Sequence, residues 1–214
     1  MFAFKERQRV VEICIELSRV GYLAGTGGNV ALRIDAENFA VTPSATDYLT
    51  MGAADVCVVR LADLKCLAGD RAPSVETGLH ARVLRKRPDV CCSIHTHQPV
   101  ASACALLGKA LEVEDPQARA SLGPRVPMIG YMPSGTGLLG GMVGRAIRPD
   151  INAYLMRSHG VLCCGASVEA AMKTVEDLEC LTRRYLSSQI HSRAIALPIQ
   201  ATALRRVITA LEHS

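Results

Sequence analysis

An apolar run typical of a β-strand ends in two imidazoles one residue apart in the stretch Val90-Cys91-Cys92-Ser93-Ile94-His95-Thr96-His97. On an extended chain the side chains at i and i+2 share one face, so both rings can reach one metal ion. Histidine is a frequent metal ligand, but it also occurs in ordinary strands. The pair therefore indicates a metal site only if further ligands accompany it.

Two further groups in the sequence are candidate ligands. His159 follows a second apolar run at residues 151–156, and Glu76 opens a helical pattern upstream of His95. Three neutral nitrogens and a carboxylate oxygen suit zinc or a similar divalent ion. The sequence thus predicts a metal site formed by segments that are far apart along the chain.

Length and composition favour one domain over residues 1–214. A chain of 214 residues with 49% hydrophobic residues can bury a full core. No apolar stretch approaches the ~20 residues of a membrane span, and charges interrupt the first residues where a signal peptide needs an apolar run. Nine cysteines without a Cys-x-x-Cys spacing favour reduced thiols. We therefore expect a cytoplasmic protein without a membrane partner.

The charge pattern argues against nucleic acid as a partner. The net charge is only +4, and the densest basic cluster, residues 82–87, includes no aromatic residue on which a base could stack. We interpret this cluster as a solvated helix face.

Periodicity predicts that helices and strands intermix without strict alternation, which favours one mixed sheet with helices on its faces. The region at 111–127 is the least regular and is predicted to be a loop or a poorly ordered segment. Helices are predicted at residues 4–20, 76–86, 99–107, 137–147 and 167–189, and strands at residues 30–34, 39–42, 56–61, 90–95, 126–131, 153–156 and 161–164.

Five motifs occur in order between residues 7 and 190: Thr26-Gly27-Gly28-Asn29-Val30, Thr42-Pro43-Ser44, Pro73-Ser74-Val75-Glu76, His95-Thr96-His97 and Ser158-His159-Gly160. Together they resemble the motifs of the class II aldolase/adducin family, with its zinc-dependent sugar-phosphate aldolases of the L-fuculose-1-phosphate type as the nearest branch. The resemblance implies a three-layer α/β/α domain with a central mixed, mainly antiparallel sheet, and a homotetramer with active sites between subunits.

The resemblance also implies residue roles. His95, His97 and His159 would bind Zn²⁺, or another divalent ion such as Mn²⁺ or Co²⁺. Glu76 would ligate the metal when substrate is absent and act as the catalytic acid/base when substrate displaces it. The phosphate of the substrate would bind at positions 28, 29, 44, 45, 74 and 75, which are Gly28, Asn29, Ser44, Ala45, Ser74 and Val75.

Two of the phosphate positions depart from the family pattern. Ala45 stands where the aldolases usually have glycine, and Val75 stands where they have a second serine. The fuculose-type enzymes also use tyrosines from the middle and from the C-terminal tail, and this chain has none at residues 111–128 or beyond residue 189. Fuculose 1-phosphate is therefore one candidate substrate among several.

Each candidate residue has an alternative structural role. The glycines at 25–28 can form a plain turn, and Ser74 can cap a helix. Glu76 can be an exposed carboxylate, and His159 can be a turn histidine. His80 is assigned a supporting or structural role, and His191 and His213 are assigned none.

The expected function is cleavage of a small ketose 1-phosphate to dihydroxyacetone phosphate and an aldehyde. A divalent ion stabilises the negative charge that retro-aldol cleavage leaves, and a carboxylate beside it moves the proton. Family epimerases carry aspartate where this chain has Glu76, which favours cleavage. The alternatives are a decarboxylase, epimerase or dehydratase of the same family that acts on a phosphorylated sugar or sugar acid, and a non-catalytic adducin-like binding module.

Overall fold

The computed structural model describes residues 2–23, 25, 27–133 and 135–212, so Thr26 of the glycine-rich motif and His213 lie outside the described residues. The helices are α1 (Phe4–Arg19), α2 (Thr77–Lys86), α3 (Pro99–Ala105), α4 (Pro116–Leu122), α5 (Gly137–Ala146), α6 (Val168–Ala196) and α7 (Ala201–Glu212), with a 3-10 turn at Pro198–Gln200. The strands are β1 (Asn29–Arg33), β2 (Asn38–Val41), β3 (Cys57–Arg60), β4 (Cys66–Ala68), β5 (Cys92–Thr96), β6 (Leu111–Glu112), β7 (Arg125–Val126), β8 (Met128–Ile129), β9 (Ala153–Met156) and β10 (Gly160–Gly165).

Eight strands form one sheet in the order β4-β3-β2-β1-β5-β10-β9-β8, and β6 pairs with β7 separately. Every neighbouring pair in the large sheet is antiparallel except β8 with β9. This arrangement confirms the predicted mixed, mainly antiparallel sheet. The central strands β5 and β10 are buried along their whole length, because helices cover both faces of the sheet.

The two faces of the sheet carry separate apolar cores. Val30 and Leu32 of β1 pack with Ile13 of α1 and Leu178 of α6 on one side. Ala31, between them in sequence, packs on the opposite side, in the core that α2 and α5 complete. Since alternate strand residues point to opposite faces, helix, sheet and helix form three layers.

The prediction of a loop or a poorly ordered segment at residues 111–127 is wrong. This region contains β6, α4 and β7, and α4 has a regular start. The side chain of Asp115 accepts a hydrogen bond from the Gln117 N–H, and Pro116 occupies the first turn. Both are standard helix-start features, but a helix of seven residues is too short to give a clear apolar period.

Two C-terminal features also differ from the prediction. Helix α6 continues to Ala196, the second residue before Pro198, where a proline stops the helical pattern. Helix α7 follows and packs along α6. None of the described helices is long and apolar enough to cross a membrane.

Candidate active site

Three adjacent strands bring the predicted ligands together. In the register of β1, β5 and β10, Asn29 lies opposite His95, and Leu162 lies opposite His95 on the other side. His97 directly follows β5, and His159 directly precedes β10. The two strands are antiparallel, so the end of one meets the start of the other, and all three imidazoles collect at one edge of the sheet.

Glycine at position 160 allows this close approach. Its φ is +135°, and a Cβ there would lie 2.5 Å from the carbonyl oxygen of Thr96 and 2.7 Å from Cδ2 of His97. Ser158, just before His159, also has a positive φ of 55°. Such backbone is strained for residues other than glycine and often occurs at functional sites. The turn thus sets His159 against the rings of His95 and His97.

The rings are arranged as a compact cluster. His95 and His159 stack with centroids 4.8 Å apart and an interplanar angle of 4°. His97 meets His95 edge-on at a centroid distance of 4.9 Å. One ligand nitrogen of each of these histidines lies within 4.8 Å of the others, so the three can hold one metal ion.

Hydrogen bonding fixes which nitrogen of His95 faces the cluster. Nδ1 lies 2.8 Å from the carbonyl oxygen of Val161, which can only accept, so Nδ1 carries the proton. The lone pair of Nε2 therefore points towards Nε2 of His97, 3.1 Å away. A backbone carbonyl on the remote nitrogen is the usual support of a metal-binding histidine.

The chemistry of the donors fits a divalent metal. Burial lowers the pKa of His95 to about 3 and also lowers the pKa of His97, so both rings are neutral near pH 7. Nε2 of His159 is buried and makes no hydrogen bond of normal geometry within the described chain. A buried nitrogen without a hydrogen bond is costly unless a ligand uses it. The fit to a metal thus rests on this chain's own geometry.

Glu76 completes the cluster as a buried carboxylate. It lies directly before α2 and is 5% exposed, so it is not the surface carboxylate of the alternative interpretation. Oε1 lies 2.9 Å from Nε2 of His159, and Oε2 lies 3.4 Å from Nε2 of His95. Burial alone would raise the pKa of Glu76, but contacts with His159, His95 and Asn29 outweigh it and hold that pKa well below its ordinary value. Glu76 is therefore ionised.

A small cavity adjoins the cluster, with a volume of about 140 Å³. Its lining includes no lysine or arginine among the residues that the structure describes, so an anion there would meet neutral donors. All six positions implied as the phosphate site line it together with the histidines and Glu76: Gly28, Asn29, Ser44, Ala45, Ser74 and Val75.

The glycine-rich loop that borders this cavity is more than a plain turn. A Cβ on Gly28, whose φ is +82°, would lie 2.7 Å from the carbonyl oxygen of His95. The buried hydroxyl of Tyr48 donates a hydrogen bond to the Gly28 carbonyl. Ser74 accepts a hydrogen bond from the Glu76 N–H at 3.2 Å while also lining the cavity. The N-cap residue of α2 is Glu76, so Ser74 closes the turn that leads into the helix and is not its N-cap.

Sequence reasoning missed contacts that surround Glu76. The side-chain amide of Asn29 donates to Oε2 of Glu76 at 2.7 Å, although the family pattern implied a phosphate contact for this residue. His80 contacts Asn29 and Ser93, both buried. Ser93 could have been found from the sequence, because it shares a strand face with His95 at i+2. His191, which was assigned no role, is exposed on α6.

Comparison with known proteins agrees with this geometry. A family model for the class II aldolase and adducin N-terminal domain matches residues 8–186. The 5-deoxy-D-ribulose 1-phosphate aldolase of Bacillus thuringiensis serovar kurstaki is 29% identical over 204 residues, 92% of each chain. The L-fuculose phosphate aldolase of Escherichia coli strain K12 is 25% identical over 97% of this chain and 93% of that relative. A solved L-fuculose 1-phosphate aldolase superposes with a TM-score of 0.77 at 24% identity, over 86% of each chain. This chain therefore belongs to the class II aldolase/adducin family, close to the L-fuculose-1-phosphate aldolases.

Proposed function

We propose that this protein is a metal-dependent aldolase that cleaves a small ketose 1-phosphate to dihydroxyacetone phosphate and an aldehyde. The observation that carries the proposal is the contact of the Glu76 carboxylate with His95 and His159 inside a cluster of three imidazoles. A metal-binding triad with a buried carboxylate beside it unites the two groups that retro-aldol chemistry needs, an electrophile and an acid/base.

His95, His97 and His159 would hold the metal, for which Zn²⁺ is the first choice and Mn²⁺ or Co²⁺ the alternatives. When bound, the ion would act as a Lewis acid on the carbonyl of the substrate. Glu76 would contribute a further oxygen ligand until substrate replaces it. The neutral state of His95 and His97 supports this role, because a protonated imidazole cannot donate a lone pair.

Glu76 would transfer the proton. In the condensation direction its carboxylate removes a proton from the carbon next to the ketone of dihydroxyacetone phosphate, and in cleavage it returns that proton. The depressed pKa of Glu76 keeps the basic form available near pH 7. Its position between two imidazoles supports a contact with the reacting carbon, and the Asn29 amide would keep the carboxylate in place.

The phosphate would bind in the adjoining cavity through neutral donors. Backbone N–H groups near Gly28 and the hydroxyl groups of Ser44 and Ser74 can converge there, since a glycine-rich loop leaves its N–H groups accessible to an anion. Ala45 and Val75 also line the cavity but add no hydroxyl donor. We therefore expect weaker phosphate binding than in relatives with serine at position 75.

The relatives define the substrates to test first. The two sequence relatives described above carry the names of aldolases for 5-deoxy-D-ribulose 1-phosphate and L-fuculose phosphate. We propose a ketose 1-phosphate similar in size to these two compounds as the substrate of this chain.

We further propose that residues 1–214 form one domain, because strands from both halves of the chain share one sheet. We also propose a homotetramer with active sites between subunits, as the family resemblance implies.

The test is release of dihydroxyacetone phosphate from a panel of ketose 1-phosphates, using metal-replete and chelator-treated protein side by side. We expect release only with metal. His95→Ala should lose both metal and release, whereas His191→Ala, a change on the exposed face of α6, should keep both. Bound metal without release from any ketose would favour decarboxylation, epimerisation or dehydration. Failure to bind a divalent ion would favour the binding-module alternative.

A further inference from the structure

Four buried polar side chains form a continuous hydrogen-bonded chain that ends on Glu76. Oγ of Ser93 lies 2.8 Å from Nδ1 of His80. Nε2 of His80 lies 2.6 Å from Oδ1 of Asn29, and Nδ2 of Asn29 lies 2.7 Å from Oε2 of Glu76. His80 and Ser93 are fully buried, and Asn29 and Glu76 are 5% exposed.

The direction of each hydrogen bond follows from the last one. An ionised carboxylate can only accept, so the Asn29 amide nitrogen must donate to Glu76. The Asn29 amide oxygen then faces His80 and must accept, which places the proton of the ring on Nε2. Nδ1 of His80 accepts from the Ser93 hydroxyl in turn. Burial lowers the pKa of His80 to about 4, which agrees with this neutral ring.

This series of hydrogen bonds fixes the rotation of the Asn29 side-chain amide. If the amide rotated by 180°, its oxygen would face the Glu76 carboxylate, acceptor against acceptor. Its nitrogen would face the Nε2–H of His80, donor against donor. His80 thus fixes the amide orientation, and the amide fixes Oε2. Oε1 remains directed at Nε2 of His159, 2.9 Å away.

We propose that His80 is a positioning residue, which acts through Asn29 to hold the Glu76 carboxylate in the orientation required for metal ligation and proton transfer. This inference rests on the proposed aldolase function for its kinetic consequence, but its effect on metal affinity does not depend on the substrate. Packing alone does not require a histidine here, because Leu79 and Val83 supply the apolar contacts of α2. A buried imidazole with polar partners on both nitrogens indicates a specific orienting role.

The test compares two substitutions of His80, one that keeps much of its side-chain volume and one that keeps its hydrogen-bond donor to Asn29. His80→Leu fills much of the space but cannot donate to Asn29. His80→Gln can place its amide N–H near the position of Nε2 and restore the donor. We expect His80→Leu to lower kcat by about 10–100-fold with KM changed less than about twofold, and to weaken Zn²⁺ affinity by about tenfold, whereas His80→Gln recovers most of both. Zinc affinity would be measured by competition with a coloured chelator.

A matched control is Thr182→Val, which removes a buried hydroxyl whose hydrogen bonds within the described residues go to carbonyls of its own helix, α6. It should lower the melting temperature without changing kcat or zinc affinity. If His80→Leu does not fold, Ser93→Ala provides the second variant, because it removes the donor to Nδ1 and should reduce kcat in the same direction by a smaller factor.

Wild-type kcat and zinc affinity in folded His80→Leu would overturn the proposal, as would a loss confined to KM. Equal impairment in His80→Gln and His80→Leu would overturn it too, because the restored donor would then have no effect. If the wild-type protein cleaves no ketose phosphate, the aldolase proposal fails, while weaker zinc binding in His80→Leu alone would still support the positioning role.

Discussion

Oε1 of Glu76 lies 2.9 Å from Nε2 of His159, although one residue directly precedes a helix and the other ends a turn between two strands. The distance is that of an ion pair, and both side chains are largely buried. A carboxylate oxygen and an imidazole nitrogen in the same small space are two ligand atoms that can share a cation. This relationship joins the predicted metal site to the predicted acid/base.

Glu76→Gln should retain metal and lose turnover. The amide keeps the shape and an oxygen ligand but cannot accept a proton at neutral pH, so we expect kcat to fall by about 10²–10⁴-fold. Metal content would be measured by emission spectroscopy and turnover by release of dihydroxyacetone phosphate. Glu169→Gln is the control, because that carboxylate is exposed and forms a surface ion pair with Arg9, far along the chain from the candidate site. Turnover near the wild-type value in Glu76→Gln would remove its acid/base role.

Gly160→Ala should destabilise the protein and reduce metal binding. The new methyl group would meet the Thr96 carbonyl at 2.5 Å at a φ of +135°, and backbone strain of this kind costs roughly 1–3 kcal/mol. Gly141→Ala is the matched control, since a Cβ at this position in α5 meets nothing within 4 Å. That change should leave the melting temperature unchanged or raise it. Similar melting temperatures and metal contents for the two variants would contradict the proposed need for glycine at position 160.

Stability of the metal-free protein should fall as the pH falls below about 6.5. Burial lowers the pKa of His80 to about 4 and that of His95 to about 3, against opposing attraction from Glu76. Unfolding releases both rings to an ordinary pKa near 6.5, so the unfolded chain binds more protons in this window. The neutral rings therefore contribute their full free energy of folding above pH 6.5. This contribution falls progressively towards pH 4 for His80 and towards pH 3 for His95. The depressed pKa of Glu76 adds a loss below pH 4.5.

Urea unfolding in the presence of a chelator, at several values between pH 7.5 and pH 4.5, measures this slope. His80→Gln should reduce the slope because one of the two buried imidazoles no longer titrates on unfolding. A free energy of unfolding that stays constant or rises as the pH falls from 6.5 to 4.5 would contradict the assigned burial of the rings.

Val75→Ser should improve the binding of a ketose phosphate. The substitution adds a hydroxyl donor to a cavity whose lining has no cationic side chain among the described residues. A net hydrogen bond of about 0.5–1.5 kcal/mol corresponds to a decrease in KM of about twofold to tenfold. Leu67→Ser on the edge strand β4 is the control for an added surface hydroxyl. An unchanged KM in Val75→Ser would indicate that the phosphate binds elsewhere.

Local patterns predicted much of this architecture. The period of the apolar residues placed α1, α2 and α5 close to their observed bounds, and the mixed sheet followed from the order of helices and strands. The side-chain alternation of β5 placed His95 and His97 on one face. These features depend on neighbouring residues in the chain, and such short-range geometry can be inferred from sequence. Strand β4, with three residues on an exposed edge, and the short α4 carry too few periodic positions for this inference.

By itself the sequence determined the fold class and, through its motifs, the residue types of the candidate site: three histidines, a glutamate and a glycine-rich loop. Only the tertiary structure decided how they are oriented. The register of β1 against β5 sets Asn29 beside His95, and the packing of α2 on the sheet brings both His80 and Glu76 to Asn29. Such contacts join residues from separate elements, so no local period encodes them. They form because buried polar groups must find partners within the folded core.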